Sequence, residues 1–366
     1  MSNILKQAER GLFGMYKFFL RVNAMEDAMR KSTLATLVIM VLAAIMLPAC
    51  GAPAAALPCK AGLVTDVGKI NDGTFNQYAY TGLLQAEKDL GIGIKYIETV
   101  AQADYGKNIQ SLVEQKCEIV VAVGFMMGDA IKEASGKYPD TKFAIVDFAY
   151  DPAIANVRGL VFAEDEAGYM AGALAASMTK SGTIAAVGGM EIPPVQKFLK
   201  GYEAGAKSVK ADVAVKTVYI DSFIDRARGA EAAKSFMSEG ADVIFGAGGQ
   251  TGSGGIQAAA EAGVYVIGVD QDEYVTTFQN GGAPGADMII SSAMKRVDQA
   301  VFLTIKDVVD GKFTNGTITY NAANGGIGLA SFNKADGAIP AEVKAKMEEI
   351  LKGLSDGSIT TGVTLN

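Results

Sequence analysis

From Cys59 onward, short apolar runs alternate with stretches whose apolar residues recur at three- and four-residue spacing. "AGLVTDV", "IKYIETV", "EIVVAVG" and "KFAIVDF" read as strands bounded by polar turns. Between them, "FNQYAYTGLLQAEKDL" (ending at Gly91), "YGKNIQSLVEQ" and "GDAIKEASGKY" carry helical periodicity. A second round follows "EDEAGYMAGALAASM", with strands "GTIAAVGG", "AVKTVYI", "DVIFGAGG" and "VYVIGVD". Its intervening helices are "VQKFLKGYEAGAKSV", "RARGAEAAKSFMSE" and "GGIQAAAEA". Near-continuous apolar strands separated by amphipathic helices predict βαβ units, an α/β class and parallel sheets buried on both faces. Two rounds of similar size predict two doubly wound lobes rather than one wide sheet. After Asp270, "MIISSAMKRVDQAVFLTIKDVV" reads as a strand entering a long helix, and "PAEVKAKMEEILKGL" as a terminal helix.

Upstream of Cys59 the pattern changes. Arg30 and Lys31 precede "LATLVIMVLAAIML" (34–47), an apolar core of secretory length. It is shorter than the ~20 residues a membrane span takes, which disfavours the alternative of a transmembrane anchor. It closes on "LPACG", a small residue, Cys50 and Gly51, which resembles the bacterial lipobox. The expectation is a lipoprotein signal peptide over 29–49, lipidation of Cys50 and a linker over 50–58. Residues 1–28, ahead of Met29, read as an extension from a misassigned start. The mature chain would then sit on the outer face of the bacterial cytoplasmic membrane, held by lipid alone. Cys59 and Cys117 each precede an apolar strand, so parallel neighbouring strands would bring both to one sheet edge. A disulfide and two buried free thiols both fit, and export favours the bond.

Composition narrows the chemistry. A net charge of −7, with no stripe of Lys or Arg, argues against a nucleic-acid partner, because phosphate neutralisation needs clustered positive charge. The chain has no histidine, which removes the commonest general base and metal ligand together. No cofactor and no metal are expected.

In open α/β sheets, ligands bind beyond the carboxyl ends of the strands. Those ends present Asp66, then Asn71, Asp72, Phe75 and Asn76; next Gly124 and Phe125; then Asp147. In the second round they present Asp221, Ser222, Phe223 and Asp225, the glycine-rich "GAGGQTGSGG", and Asp270 with Asp272. Asp72, Thr74 and Asn76 fit helix capping as well as ligand contact. Phe is ordinarily a core residue. Phe75 and Phe223 nevertheless each sit in a polar loop, one per lobe, where a pair could sandwich a flat ring. Asp147 and Asp270 end their strands alone, where capping does not account for them. "GAGGQTGSGG" lacks the spacing of a dinucleotide fingerprint or P-loop and reads as a tight turn that lets backbone approach a ligand. Lys295 begins the helix after the "MIISSAMK" strand, where an exposed helix lysine is the ordinary reading.

Together these residues resemble the Bmp family of substrate-binding lipoproteins, purine-nucleoside receptors that feed ABC transporters. The matching pieces are "GLVTDVGKINDGTFNQYAYTGL", "LVEQKCEIVVAVGF", "YPDTKFAIVDF", "NVRGLVFAEDEAGYMAGALAA", "VGGMEIPPVQKFLKGYEAGAK", "DVIFGAGGQTGSGG", "VIGVDQD" and "SSAMKRVDQA". The resemblance implies a type I periplasmic-binding-protein fold, its two lobes joined by a multi-strand hinge. Lobe 1 would comprise 59–163 plus about 293–313, and lobe 2 would comprise 164–292 plus about 314–366. It also implies that Phe75 and Phe223 stack on the base from opposite sides, while Asp66, Asn76 and Asp147 bond its edge. Asp270, Lys295 and the turn around Gly249 would hold the ribose. The turn reads "GGQTGSG" where the commoner form is "GGTGxG", and Lys69 and Gly73 also vary on the usual theme.

The expected function is therefore a non-enzymatic receptor that delivers a nucleoside, a purine one, to an ABC transporter permease. A binding protein for a sugar or other small polar ligand is the alternative within the class. A nucleoside hydrolase is the alternative outside it, since carboxylates alone can activate water. A transcriptional regulator of the same fold is disfavoured, because an export signal, not a helix-turn-helix, precedes the first strand.

Overall fold

The computed structural model describes residues 57–365 throughout and, within 15–40, a set of helical positions that includes 23–32. The lipobox and Cys50 lie outside the described residues. Among the described residues no helix is long and apolar enough to cross a membrane.

The first round folds as β1 (Cys59–Val67), α1 (Phe75–Leu90), β2 (Gly93–Thr99), α2 (Tyr105–Glu114), β3 (Ile119–Ala122), α3 (Gly128–Lys137), β4 (Lys142–Val146) and β5 (Val157–Phe162). The second comprises α4 (Glu164–Met178), β6 (Thr183–Gly188), α5 (Pro193–Val209), β7 (Ala214–Tyr219), α6 (Arg226–Ser238), β8 (Val243–Ala247), α7 (Gly249–Glu261), β9 (Tyr265–Asp270) and β10 (Ile289–Lys295). The chain then adds α8 (Val297–Val309), β11 (Gly316–Tyr320), β12 (Ile327–Leu329) and α9 (Ala341–Asp356). Helix α1 spans the stretch its periodicity predicts and stops where Gly91, at φ 63°, donates its N–H to Glu87. That left-handed conformation is one glycine adopts without penalty.

Two six-stranded sheets result, ordered β11-β5-β4-β3-β1-β2 and β12-β10-β9-β8-β6-β7. The first is parallel throughout; in the second only β12 runs antiparallel to its neighbour. The two orders are equivalent position for position, so β4 of one lobe corresponds to β9 of the other. Strand interiors such as Leu63, Val121 and Ile145 in the first lobe, and Ile184, Phe245 and Ile267 in the second, are wholly buried. Cys59 and Cys117 are bonded to each other at 1.99 Å, across the adjacent strands β1 and β3.

The late crossovers differ from the expected boundaries. Strand β10, including 293–295, belongs to the second sheet, and β11 returns to the first, pairing with β5. Of the 293–313 segment, α8 buries Val297, Val301 and Ile305 in the first lobe's core, with Met294 and Phe313 packed against its margin. Period-two alternation shows that "GTITY" is a strand but not which sheet edge accepts it. The chain thus passes between lobes at 162–164, 295–297 and 320–327, three strand-to-element crossings at one place.

One element was not picked out from the sequence and another was misread. Strand β5 carries Arg158, which is 2% exposed. Its guanidinium is satisfied internally by Asp307 at 2.7 Å and the Thr314 carbonyl at 2.8 Å. The supposed glycine turn is largely helix, since α7 begins at Gly249. Its glycines serve close packing: a Cβ on Gly254 would lie 2.3 Å from the Arg226 carbonyl oxygen.

Candidate functional site

The carboxyl ends of both sheets face a single cleft of about 670 Å³, counting its open mouth. Asp66, Phe75, Asn76, Asp147, Phe223, Gly249, Asp270 and Lys295 all line it.

The loop after β1 organises the first wall. Asp72 is the capping group of α1, accepting from the backbone N–H of Thr74 (2.9 Å), Asn76 (3.0 Å) and Gln77 (3.1 Å). Thr74 does not cap; its hydroxyl is buried without a partner. Asn76 is bonded on both sides, donating to Asp72 at 3.0 Å and accepting from the Asp66 N–H at 2.9 Å. It holds the strand end against the helix. Asp66 accepts from Val67 N–H at 2.6 Å and from the Tyr105 hydroxyl. Burial nonetheless raises its pKa above the usual carboxylate range. Phe75, the first residue of α1, is partly buried against the lobe 1 core. Across the cleft, Phe223 lies over the glycine bend after β6. A Cβ on Gly189 would come 2.4 Å from its ring, so glycine is required for that seat.

The floor is ionic. Asp147 follows β4 and Asp270 ends β9, equivalent places in the two lobes, and both have positive φ, 69° and 65°. Such a backbone is uncommon outside glycine and concentrates at functional positions. Lys295 Nζ lies 2.7 Å from the Asp147 carboxylate and 3.1 Å from Glu164 Oε1, all three groups being buried. Glu164 Oε2 also meets Lys197 at 3.2 Å. Burial works against the Lys295 charge, but Asp147, Glu164 and Asp270 outweigh it and hold its pKa above the ordinary lysine range. Phe75 and Phe162 present their rings to the ammonium at 5.1 Å, and Phe198 does so at 5.8 Å. Among the described residues no hydrogen bond within the protein occupies the Asp270 carboxylate, and burial pushes it up to about 7.

Glu273, fully buried behind the cleft, is likewise raised to about 7 by burial. Between the ordinary carboxylate range near 4 and about 7, the folded protein therefore holds protons that the unfolded chain has released. Stability falls as pH rises through that window. Ligand-free protein should melt at a higher temperature at pH 5 than at pH 8, and Asp270→Asn should flatten the difference. Equal pH slopes in calorimetry of the two proteins would contradict this.

Sequence reasoning missed part of the lining. Phe198, Val195 and Pro194 come from the first turns of α5, whereas Phe125, beyond the end of β3, was among the strand-end residues already read from the sequence. Helical periodicity marks Val195 and Phe198 as core; nothing local separates a core edge from a cleft wall. Glu164 and Lys197 were missed because their partners lie in other elements.

Two equivalent α/β lobes, three crossings between them, and an aromatic and acidic cleft at their facing sheet ends define a two-lobed solute-binding protein. Residues 60–356 match the family model for Bmp, described as ABC transporter substrate-binding protein PnrA-like, and the chain belongs to that family. It is 36% identical to the ABC transporter nucleoside-binding protein BmpA of Lactococcus lactis, over 82% of this chain and 88% of that protein. It is 31% identical to basic membrane protein A of Borreliella burgdorferi, covering 81% and 84%. An uncharacterized lipoprotein of Pyrococcus abyssi is 33% identical, covering 80% and 76%. Among solved structures, a solute-binding protein of an ABC transporter system from Aeropyrum pernix superposes with a TM-score of 0.75 at 25% identity, covering 83% and 93%. The chain is a substrate-binding protein of an ABC transporter, with the periplasmic-binding fold, and not an enzyme.

Proposed function

We propose that the cleft binds a purine nucleoside and that the protein, lipid-anchored through Cys50 outside the cytoplasmic membrane, delivers it to a permease. The observation that carries this reading is the placement of Phe75 and Phe223 on opposite lobes of one cleft whose polar lining is acidic. Aromatic faces suit a flat heterocycle. Carboxylates suit its amine and the ribose hydroxyls, all of them donors. The one lysine is already matched by Asp147 and Glu164, so it offers no uncompensated charge to a phosphate. In their ionised forms Asp66, Asp72 and Asp270 would repel one. An uncharged nucleoside fits where a nucleotide does not. In this reading Asp66, Asn76 and Asp147 contact the base edge, while Asp270, Lys295 and the backbone at Gly249 hold the sugar. The name of the Lactococcus relative supports the ligand class, and that of the Pyrococcus relative supports the anchor.

Native mass spectrometry of protein purified without added ligand should find a purine nucleoside bound. Calorimetry should then show binding of inosine or adenosine and none of the corresponding monophosphate. A co-purifying pentose or hexose, with no nucleoside binding, would overturn the reading in favour of a sugar receptor.

A further inference from the structure

The segment after β9 reaches from the second lobe to the first. Gln271 Nε2 donates to the Thr74 carbonyl at 3.0 Å, and Thr276 Oγ1 donates to the Gly73 carbonyl at 2.7 Å. The acceptors stand directly before Phe75, and Gln271 stands directly after Asp270. Neither donor side chain lines the cleft.

Both ends of this connection are braced. On the lobe 1 side, the Thr74 carbonyl also receives Tyr78 N–H at 2.9 Å, and Asp72 holds the Thr74 N–H at 2.9 Å. On the lobe 2 side, buried Glu273 accepts from Ser253 and Thr277 hydroxyls, each at 2.6 Å, and from Val269 N–H at 3.1 Å. Its own N–H donates to Ser292 at 3.1 Å. The segment is thereby pinned to β9, β10 and the first turn of α7. The approach is tight: a Cβ on Gly73, which has φ 84°, would lie 3.3 Å from the Thr277 hydroxyl.

We propose that Gln271 and Thr276 are positioning residues that latch the closed lobes and set Phe75 in register with Asp270. Opening returns the two carbonyls and two donors to water, so each bond is gained only on closing. The latch acts through backbone at residues 73–74 and needs no contact with the bound molecule. Its effect on ligand release rests on the cleft site proposed above; the latch itself does not.

The test uses full-length protein carrying spin labels at Lys107→Cys and Lys234→Cys, exposed positions on opposite lobes. Interlobe distances by pulsed electron resonance, and inosine dissociation by stopped flow, are compared for wild type, Gln271→Leu/Thr276→Val and Thr276→Ser. The double variant should shift to wider separations and release inosine roughly 5- to 30-fold faster, the range expected for two hydrogen bonds. Thr276→Ser, which keeps the hydroxyl, should stay near wild type. If the double variant misfolds by circular dichroism, Thr276→Val alone takes its place. Superimposable distance distributions in wild type and variant would overturn the latch. Failure of wild type to bind inosine would overturn only the nucleoside reading, since the distances decide the latch without ligand.

Discussion

Lys295→Met is expected to lower the stability of the folded protein by about 3–5 kcal/mol at pH 7.5, the usual cost of breaking a buried ion pair from one side. Methionine fills much the same volume, so packing changes little. The loss comes from electrostatics. Asp147 and Glu164 are 6% and 1% exposed at the side chain, and their shared ammonium is 2% exposed. Without it Asp147 has no ion-pair partner among the described residues and feels only the more distant charge of Lys197, which pairs with Glu164. Burial already raises the Asp147 pKa against the pull of Lys295; loss of the ammonium raises it further, so the folded variant takes up a proton there. A group raised in this way destabilises the fold fully above its folded pKa; the penalty shrinks as pH falls below that value and is gone below the unfolded value of about 4. The defect should therefore shrink as pH falls towards 5. Urea unfolding of wild type and variant at the two pH values measures it, and wild-type stability at pH 7.5 would refute the account.

Phe75→Ala and Phe223→Ala should each weaken nucleoside binding by roughly 2 kcal/mol, about 30-fold, as aromatic anchors at the centre of a site do. The double variant should depart from the sum, because in the proposed clamp both rings pack on the same base and so share a partner. Neither ring is fully buried, so the fold should tolerate the changes, which melting curves would verify. Titration calorimetry with inosine reads the effect. Unchanged affinity in both single variants would remove the clamp from the proposed function.

The elements that sequence reasoning placed well are those whose signal is local. Helix α1 has apolar spacing, a cap at Asp72 and a glycine stop at Gly91, all within seven residues of its ends. The strand-end residues were legible too, because a parallel sheet directs its carboxyl ends to one side. Once the lobes face each other, those ends converge on a single cleft. Where reading failed, the deciding partner was remote. Nothing local marks Arg158 as the centre of a buried strand, because Asp307, its partner, stands 149 positions away. Asn76 looked like a ligand contact, but its amide also ties Asp72 to the end of β1.

The sequence by itself determined the alternation of strand and helix, the parallel class, the absence of histidine chemistry and the residues at each strand end. Periodicity and composition are properties of short windows, and they report the burial of each element without reference to its neighbours. The tertiary structure alone decided which sheet receives β10 and β11, that Lys295 is shared by Asp147 and Glu164, and that Gln271 and Thr276 reach across to residues 73 and 74. Those are pairings between groups up to about two hundred residues apart, such as the 197 that separate Gln271 from Thr74. Their energy depends on distance and burial in the folded chain, which no local pattern encodes.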